Sequence, residues 1–401
     1  MNLLLLHTLR SCGRWLLLFN KLKNEYIMKK TFVLLMSVAM VLVSCKQKET
    51  IADMKLPIDK NATKETVELY NRLFKSLDKG IMVGHQDALA YGHGWYKEAG
   101  RSDVKDVTGD YPSVVGWELG HIEIGAQFNL DSVYFSDMKH YIKETYDRGG
   151  ITTASWHGDN IVTGNTAWDC AQDSVVRTIL PNGSNHAKYL TWLDRVADFF
   201  LDLKDDKGTL IPVVFRMYHE HTGAWFWWGS KQCTPEEYKQ LWIMTVEYLR
   251  DKKNVHNLLY AYSPSETKNE AEYLERYPGD EYVDIVGYDC YVPGKDSEAV
   301  AKYKEAMDLN LKIVTGYAAK SGKIPTIGET GMESIPDSMY FTQAVYPVIN
   351  QYKIAWVLFW RNAWESDKPE HFYAPFKGHS SADDFREFVA KPNILMNADV
   401  K

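Results

Sequence analysis

Short apolar runs alternate with amphipathic stretches through most of the chain. Runs at 81–84, 113–117, 151–156, 210–216, 258–262, 283–288, 324–328 and 354–360 have strand length and are rich in Val, Ile and aromatic residues. Between them, segments 136–148, 187–203, 235–251, 299–321 and 339–351 repeat apolar residues at helical spacing. One helix start is well marked. Thr234-Pro235-Glu236-Glu237 puts a hydroxyl at the N-cap, proline at the first helical position and a glutamate where it can cap in return. Strands that alternate with helices imply parallel pairing, because each helix supplies the crossover. The pattern admits a closed barrel or an open doubly wound sheet. The barrel is preferred, because strand after strand runs into polar, chemically capable residues, and barrel sites are built at those C-terminal ends. The predicted fold class is α/β, a single (β/α)8 TIM barrel.

The first part of the chain follows a different pattern. Lys29-Lys30 after Met28, an apolar stretch at 31–43 and then Ser44-Cys45 read as a charged region, a short hydrophobic region and a small-residue cleavage zone. Leu42-Val43-Ser44-Cys45 resembles a bacterial lipobox, which makes Cys45 the expected lipidation site and membrane attachment point. Residues 1–44 are therefore read as an upstream segment plus lipoprotein signal peptide with its true start at Met28, residues 45–58 as a polar tether, and 59–401 as the catalytic barrel.

Composition narrows the function classes. The 401 residues are 45% hydrophobic and 25% charged with net charge −7, and no basic stripe is present, which argues against a nucleic-acid partner. The chain has 13 Trp and 25 Tyr, which can stack on sugar faces but equally fill a core. Cys170, Cys233 and Cys290 are too widely spaced for a disulfide framework or a metal cluster, and are expected to be mostly buried thiols. His219 and His221 flank a glutamate without forming His-Glu-x-x-His, and neither a Gly-x-Ser-x-Gly elbow nor a phosphate-binding Gly-x-x-x-x-Gly-Lys-Ser/Thr loop occurs. Neither a metal nor a cofactor is implied.

The candidate chemistry lies at the strand ends. The first strand runs into Gly84-His85-Gln86-Asp87, the second into Trp117-Glu118 and the third into Trp156-His157-Gly158-Asp159-Asn160. The fourth ends in Arg216-Met217-Tyr218-His219-Glu220, the sixth in Asp289-Cys290-Tyr291, the seventh in Gly328-Glu329 and the eighth in Trp360-Arg361-Asn362. Two carboxylates, Glu220 and Glu329, follow apolar strands four and seven. Glycoside cleavage needs such a pair, one to protonate the leaving oxygen and one to attack the anomeric carbon or activate water.

The run His219-Glu220-His221-Thr222-Gly223-Ala224-Trp225-Phe226-Trp227-Trp228-Gly229 resembles the acid/base segment of glycoside hydrolase family 26, the β-mannanases. Gly328-Glu329-Thr330-Gly331 resembles that family's nucleophile segment, and the resemblance extends over residues 65–390. It implies a (β/α)8 barrel with Glu220 as acid/base and Glu329 as nucleophile. Two departures stand out: Met217-Tyr218 where the family commonly has proline and an aromatic, and Thr222 where it often has asparagine.

Roles follow from this assignment. Glu220 should be held protonated by desolvation and by the nearby charge of Glu329, while Tyr291 and Arg216 keep Glu329 ionised. His219 is expected to position Glu220 or the substrate. Trp225 and Trp360 are the candidate sugar platforms, with Trp168 a further one, and Phe226, Trp227 and Trp228 are assigned to packing. His157 and Arg361 resemble the family's polar contacts on the non-reducing side, and Asp289 is expected to bind sugar hydroxyls or orient Tyr291.

The expected activity is retaining cleavage of β-1,4-mannosidic bonds in mannan, galactomannan or manno-oligosaccharides, with release of mannobiose as a specialisation. One alternative is the same machinery acting on xylan or a β-glucan. Another is a non-catalytic glycan-binding lipoprotein, against which the presence of both carboxylates argues. The expected location is the bacterial cell envelope, at the outer membrane and facing the periplasm in preference to the cell surface. A monomer is favoured.

Overall fold

A computed structural model describes residues 54–172 and 174–400. The chain divides into two units, Met1–Met54 and Lys55–Lys401. The signal segment, Cys45 and most of the expected tether lie outside the described residues. The second unit is described here.

Eight strand positions close into an all-parallel barrel. They are β1 (Ile81–Gln86), β2 (Val114–Glu118), β3 (Ile151–Trp156), β4 (Val213–Met217), β5 (Leu258–Tyr262), β6 (Ile285–Val286 and Asp289–Tyr291), β7 (Ile324–Pro325 and Ile327–Gly331) and β8 (Trp356–Phe359). Each pairs in parallel with the next, from β1 on β2 round to β7 on β8. The register Met82↔Trp356 through His85↔Phe359 joins β8 back to β1, so the barrel has no open edge. An open sheet is excluded.

The strand sequences read as continuous apolar runs because both faces are covered. Val83, Val115, Ala154, Phe215 and Tyr260 pack outward against the helices, whereas Met82, Val114, Ile151, Val214, Leu259 and Leu358 belong to a second, interior cluster. Helix α1 (Lys64–Ser76) adds Leu69, Tyr70 and Leu73 to that interior cluster. Its N-cap hydroxyl, on Thr63, accepts from the Thr66 N–H at 3.2 Å. Helices α2 (Phe135–Asp147), α3 (His186–Asp202), α4 (Pro235–Glu247), α5 (Ser297–Ser321) and α6 (Ala382–Val389) follow β2, β3, β4, β6 and β8. The capping box opening α4 is formed in full, with Thr234 Oγ1 accepting from Glu237 N–H and the Glu237 carboxylate accepting from Thr234 N–H.

The structure departs from the sequence expectation in several places. β4 starts at Val213, not 210, since Pro212 cannot donate to the ladder and Leu210 instead bridges back to Lys204. β6 is broken around Gly287, where a Cβ would lie 2.8 Å from Thr326 Cγ2, and its second half carries Asp289 and Tyr291 beyond the predicted end. α4 ends at Glu247 and passes into a wider turn, Tyr248–Lys252. Residues 55–58, expected in the tether, are docked on the barrel: Lys55 N–H donates to Asn71 Oδ1 at 2.9 Å and Ile58 N–H to the buried Asp284 Oδ1 at 2.8 Å. Among the described residues no helix is long and apolar enough to cross a membrane. Cys233 and Cys290 are buried, Cys170 is half-buried, and all three are free thiols.

Candidate active site

The C-terminal ends of the strands bring Glu329 and Asp289 together on one guanidinium. Arg216, on β4, donates through Nη1 to Asp289 Oδ2 at 2.8 Å and through Nη2 to Glu329 Oε1. Tyr291 Oη donates to the other oxygen, Glu329 Oε2, at 2.7 Å. The register Glu329↔Asp289 sets these side chains side by side across β6 and β7. Both oxygens of Glu329 thus accept hydrogen bonds, and Arg216 is buried with its pKa pushed further up by Asp289 and Glu329 in spite of its desolvation.

Glu220 stands just past the end of β4 in an uncommon backbone conformation. Tyr218 and Glu220 have φ of +47° and +53°, in the region L-residues rarely enter. The turn is held by Glu220 N–H donating to Ser263 O at 2.7 Å and Gly223 N–H donating to Glu220 O at 2.9 Å. Its side chain is half-buried, with Oε2 accepting from Trp225 Nε1 at 2.7 Å. Burial first, and then the charge of Glu329, push the Glu220 carboxyl up to about 7, while Trp225 and Arg216 pull the other way. One carboxyl ready to give a proton near neutrality therefore faces another clamped by cationic and phenolic donors. That asymmetry is what a division into acid and nucleophile requires.

His219 lies nearer Glu329 than the sequence reading placed it. Its Nε2 is 3.8 Å from Glu329 Oε1, and burial, Arg216 and His157 hold the imidazole neutral. Asp289, expected to bind sugar hydroxyls or orient Tyr291, is buried; Oδ2 accepts from Arg216 and Oδ1 accepts from Ser263 Oγ at 2.6 Å, so it fixes the guanidinium. His219, Asp289 and Glu329 bring potential metal ligands within 4.8 Å of one another, but a dication there would compete with the Arg216 guanidinium already seated on both carboxylates.

The remaining predicted residues form an aromatic wall. His157 stacks on Trp168 with centroids 5.0 Å apart and meets Trp360 edge-on at 6.3 Å and His219 edge-on at 4.5 Å. Trp168 and Trp225 are 49% and 44% exposed, and Trp360 is half-buried. Phe226, Trp227 and Trp228 are buried and pack behind the turn, as expected. Arg361 is also buried, with Nε 3.1 Å from Asp131 Oδ1 and Nη1 3.4 Å from Glu365.

Sequence reasoning passed over several supporting residues. Glu118, at the end of β2, takes His157 Nδ1 at 2.7 Å, His157 N–H at 2.7 Å, Gly120 N–H at 2.6 Å and Ser155 Oγ at 2.7 Å. Burial alone would raise Glu118, yet the adjacent imidazolium and these donors hold it at about 2. His157 is raised correspondingly, the Glu118 charge outweighing burial, so the two form an ion pair. The strand-end position of Glu118 was the available signal. Ser263 and Tyr373, whose ring meets Tyr291 edge-on at 5.6 Å, had none.

A model of glycosyl hydrolase family 26 matches residues 58–376. The chain belongs to glycosyl hydrolase family 26. Among its family 26 neighbours, the solved structure of a GH26 beta-mannanase from Bacteroides ovatus superposes with a TM-score of 0.81 at 48% identity, covering 84% of this chain and 96% of that one. A modular endo-beta-1,4-mannanase from Cellulomonas fimi superposes at 0.76 with 32% identity, covering 86% of this chain and 78% of that one. A mannan endo-1,4-beta-mannosidase of Bifidobacterium adolescentis is 32% identical over 359 residues; the match takes in 85% of this chain but 35% of that longer relative.

Proposed function

We propose that this family 26 chain is a retaining endo-β-1,4-mannanase in which Glu329 is the nucleophile and Glu220 the acid/base. The carrying observation is the opposed setting of the two carboxyls, Glu220 held up to about 7 and Glu329 clamped by Arg216 and Tyr291. In the first step Glu329 attacks the anomeric carbon as the glycosidic bond breaks, and Glu220 gives its proton to the departing oxygen. Forming the ester removes the negative charge of Glu329 that helped raise Glu220. Glu220, now ionised, takes a proton from water, and that water attacks the anomeric carbon and releases Glu329. Trp168 and Trp225 offer exposed ring faces to the sugar chain, and the His157–Glu118 pair places a positive charge beside the reacting carboxylates.

The mannan specificity is supported by the names of the relatives, several of which are mannan endo-1,4-beta-mannosidases. The test is a time course of products from linear mannan, manno-oligosaccharides, xylan and β-glucan, with Glu329→Ala as control. Cleavage of mannan by the wild type and none by the variant supports the reading. Activity on xylan or glucan alone, or binding to mannan without cleavage, refutes it. A ladder of sizes indicates internal cutting, and mannobiose from the earliest points indicates a cleft closed at one end.

We also infer that the protein is lipid-anchored in a bacterial envelope through Cys45, at the outer membrane and facing the periplasm. The support is the sequence Leu42-Val43-Ser44-Cys45 behind a charged and apolar segment. Metabolic labelling with palmitate should mark the wild type and not Cys45→Ala, and labelling of both would sink the assignment. Intact cells that shield the protein from added protease support the periplasmic face; digestion in intact cells places it on the surface.

A further inference from the structure

Ser263, just past the end of β5, touches both halves of the site without being able to reach substrate. It is 1% exposed. Its carbonyl accepts the Glu220 N–H at 2.7 Å, in the turn where Glu220 has φ of +53°. Its hydroxyl donates to Asp289 Oδ1 at 2.6 Å, and Asp289 Oδ2 accepts from Arg216 Nη1 at 2.8 Å. The other arm of Arg216 holds Glu329. The two candidate catalytic carboxyls are therefore joined by one line of contacts: Glu220, Ser263, Asp289, Arg216, Glu329.

The surroundings leave little freedom in this line. Asp289 N–H donates to Pro264 O at 2.9 Å, Ser265 pairs with Asp289 in a parallel backbone bridge between neighbouring strands, and Ser265 Oγ shares a 2.7 Å hydrogen bond with Thr222 Oγ1 in the acid/base turn. Gly328, beside the nucleophile, makes the space. A Cβ there would lie 2.5 Å from Asp289 Oδ1, 2.7 Å from Ser263 Oγ and 3.3 Å from Arg216 Cδ. The segment 263–265 therefore braces the turn that carries Glu220 and the ion pair that holds Glu329.

We propose that Ser263 is a positioning residue that sets the spacing of the two carboxyls, its carbonyl fixing the Glu220 turn and its hydroxyl fixing Glu329 through Asp289 and Arg216. The proposal rests on the acid/base and nucleophile assignment above. Removing the hydroxyl leaves the buried Asp289 Oδ1 without its donor and frees Asp289 to rotate off Arg216, so the nucleophile loses its fixed orientation while the backbone link to Glu220 stays. A hydrogen bond to a charged group is worth enough to predict a roughly 10- to 100-fold fall in kcat for Ser263→Ala. KM should change little, since no sugar contact is lost.

The experiment compares wild type, Ser263→Ala and Ser263→Thr on mannopentaose and on dinitrophenyl β-mannobioside, with thermal melts of all three. The dinitrophenolate leaves without a proton, so a defect confined to Glu220 as acid would be largely hidden in kcat/KM on that substrate, while its role as base in the second step still limits kcat. The proposal predicts that the Ser263→Ala deficit persists in kcat/KM there, falls on kcat and not on KM for mannopentaose, and is at least partly restored by Ser263→Thr, which keeps the hydroxyl. A deficit that disappears on the activated substrate, falls on KM, or is not relieved by Thr in a protein that melts like wild type overturns it. Wild type inactive on both substrates would instead overturn the mannanase reading beneath it. Unchanged kcat in Ser263→Ala beside an active wild type overturns the proposal alone.

Discussion

Trp225→Phe isolates one force on Glu220, the proposed general acid. The substitution keeps an aromatic ring for the sugar but removes the indole N–H that donates to Glu220 Oε2 at 2.7 Å. That hydrogen bond favours the charged carboxylate and so opposes the burial and the Glu329 charge that hold Glu220 at about 7. Losing it must raise Glu220 further. A hydrogen bond to a charged group in a protected site contributes about 1.5–3 kcal/mol. Trp225 is 44% exposed, so water can replace part of it, and an effective loss of roughly 0.7–1.4 kcal/mol is the better figure. At about 1.4 kcal/mol per pH unit, the shift is roughly half to one unit upward. The general acid must be protonated, so kcat/KM falls on the basic side as Glu220 ionises. The basic limb for mannopentaose should therefore move from about 7 in wild type to roughly half to one unit higher in Trp225→Phe. The assay is kcat/KM from pH 4 to 10, a range chosen to bracket the limb by roughly three units. A limb that stays fixed or moves down refutes the reasoning, because it would mean Trp225 does not govern the ionisation of Glu220.

Other outcomes follow from the same contacts. Glu118→Gln breaks the buried pair with His157 and should lower stability by about 3 kcal/mol, a fall in melting temperature of roughly 5 °C at neutral pH. Glu118 sits at about 2 when folded against a usual 4.5, so its stabilisation is complete above pH 4.5 and lost as pH falls toward 2; the gap between wild type and variant in acid melts should close over that window. Trp168→Ala removes an exposed ring stacked on His157 and should raise KM for longer manno-oligosaccharides roughly 5- to 50-fold with kcat nearly kept, read from steady-state kinetics. Glu220→Ala should lose activity on mannan but regain it roughly 10-fold or more with azide on the dinitrophenyl substrate, giving a β-configured glycosyl azide that NMR identifies.

The barrel was legible because parallel strands covered on both faces leave continuous apolar runs such as Ile151–Trp156, which was placed residue for residue. Legibility failed where backbone geometry overrides composition. Gly287 breaks β6 and carries Asp289 past the predicted strand end, and Pro212 delays β4. At the site, the strand-end positions of Glu220 and Glu329 could be read from the apolar runs before them. The partners of Asp289 could not. Whether that carboxylate faces sugar or a guanidinium depends on the Glu329↔Asp289 register and on Ser263 beyond the end of β5, neither of which leaves a local signal. His219 was expected to position Glu220 or the substrate, and the closing of the barrel also sets it near Glu329, a proximity with no local signal. The exposure of Trp168 depends on the path of the loop after β3, which periodicity does not report.

The central claim is that Glu329 becomes covalently bound to sugar. Incubation with 2-deoxy-2-fluoro-β-mannobiosyl fluoride slows turnover of the intermediate, and peptide mass spectrometry then locates the label. The account predicts the mass increment on the peptide containing Gly328-Glu329-Thr330, with no label in Glu329→Ala. Label on Glu220, or no covalent adduct together with an inverted first product, would contradict it.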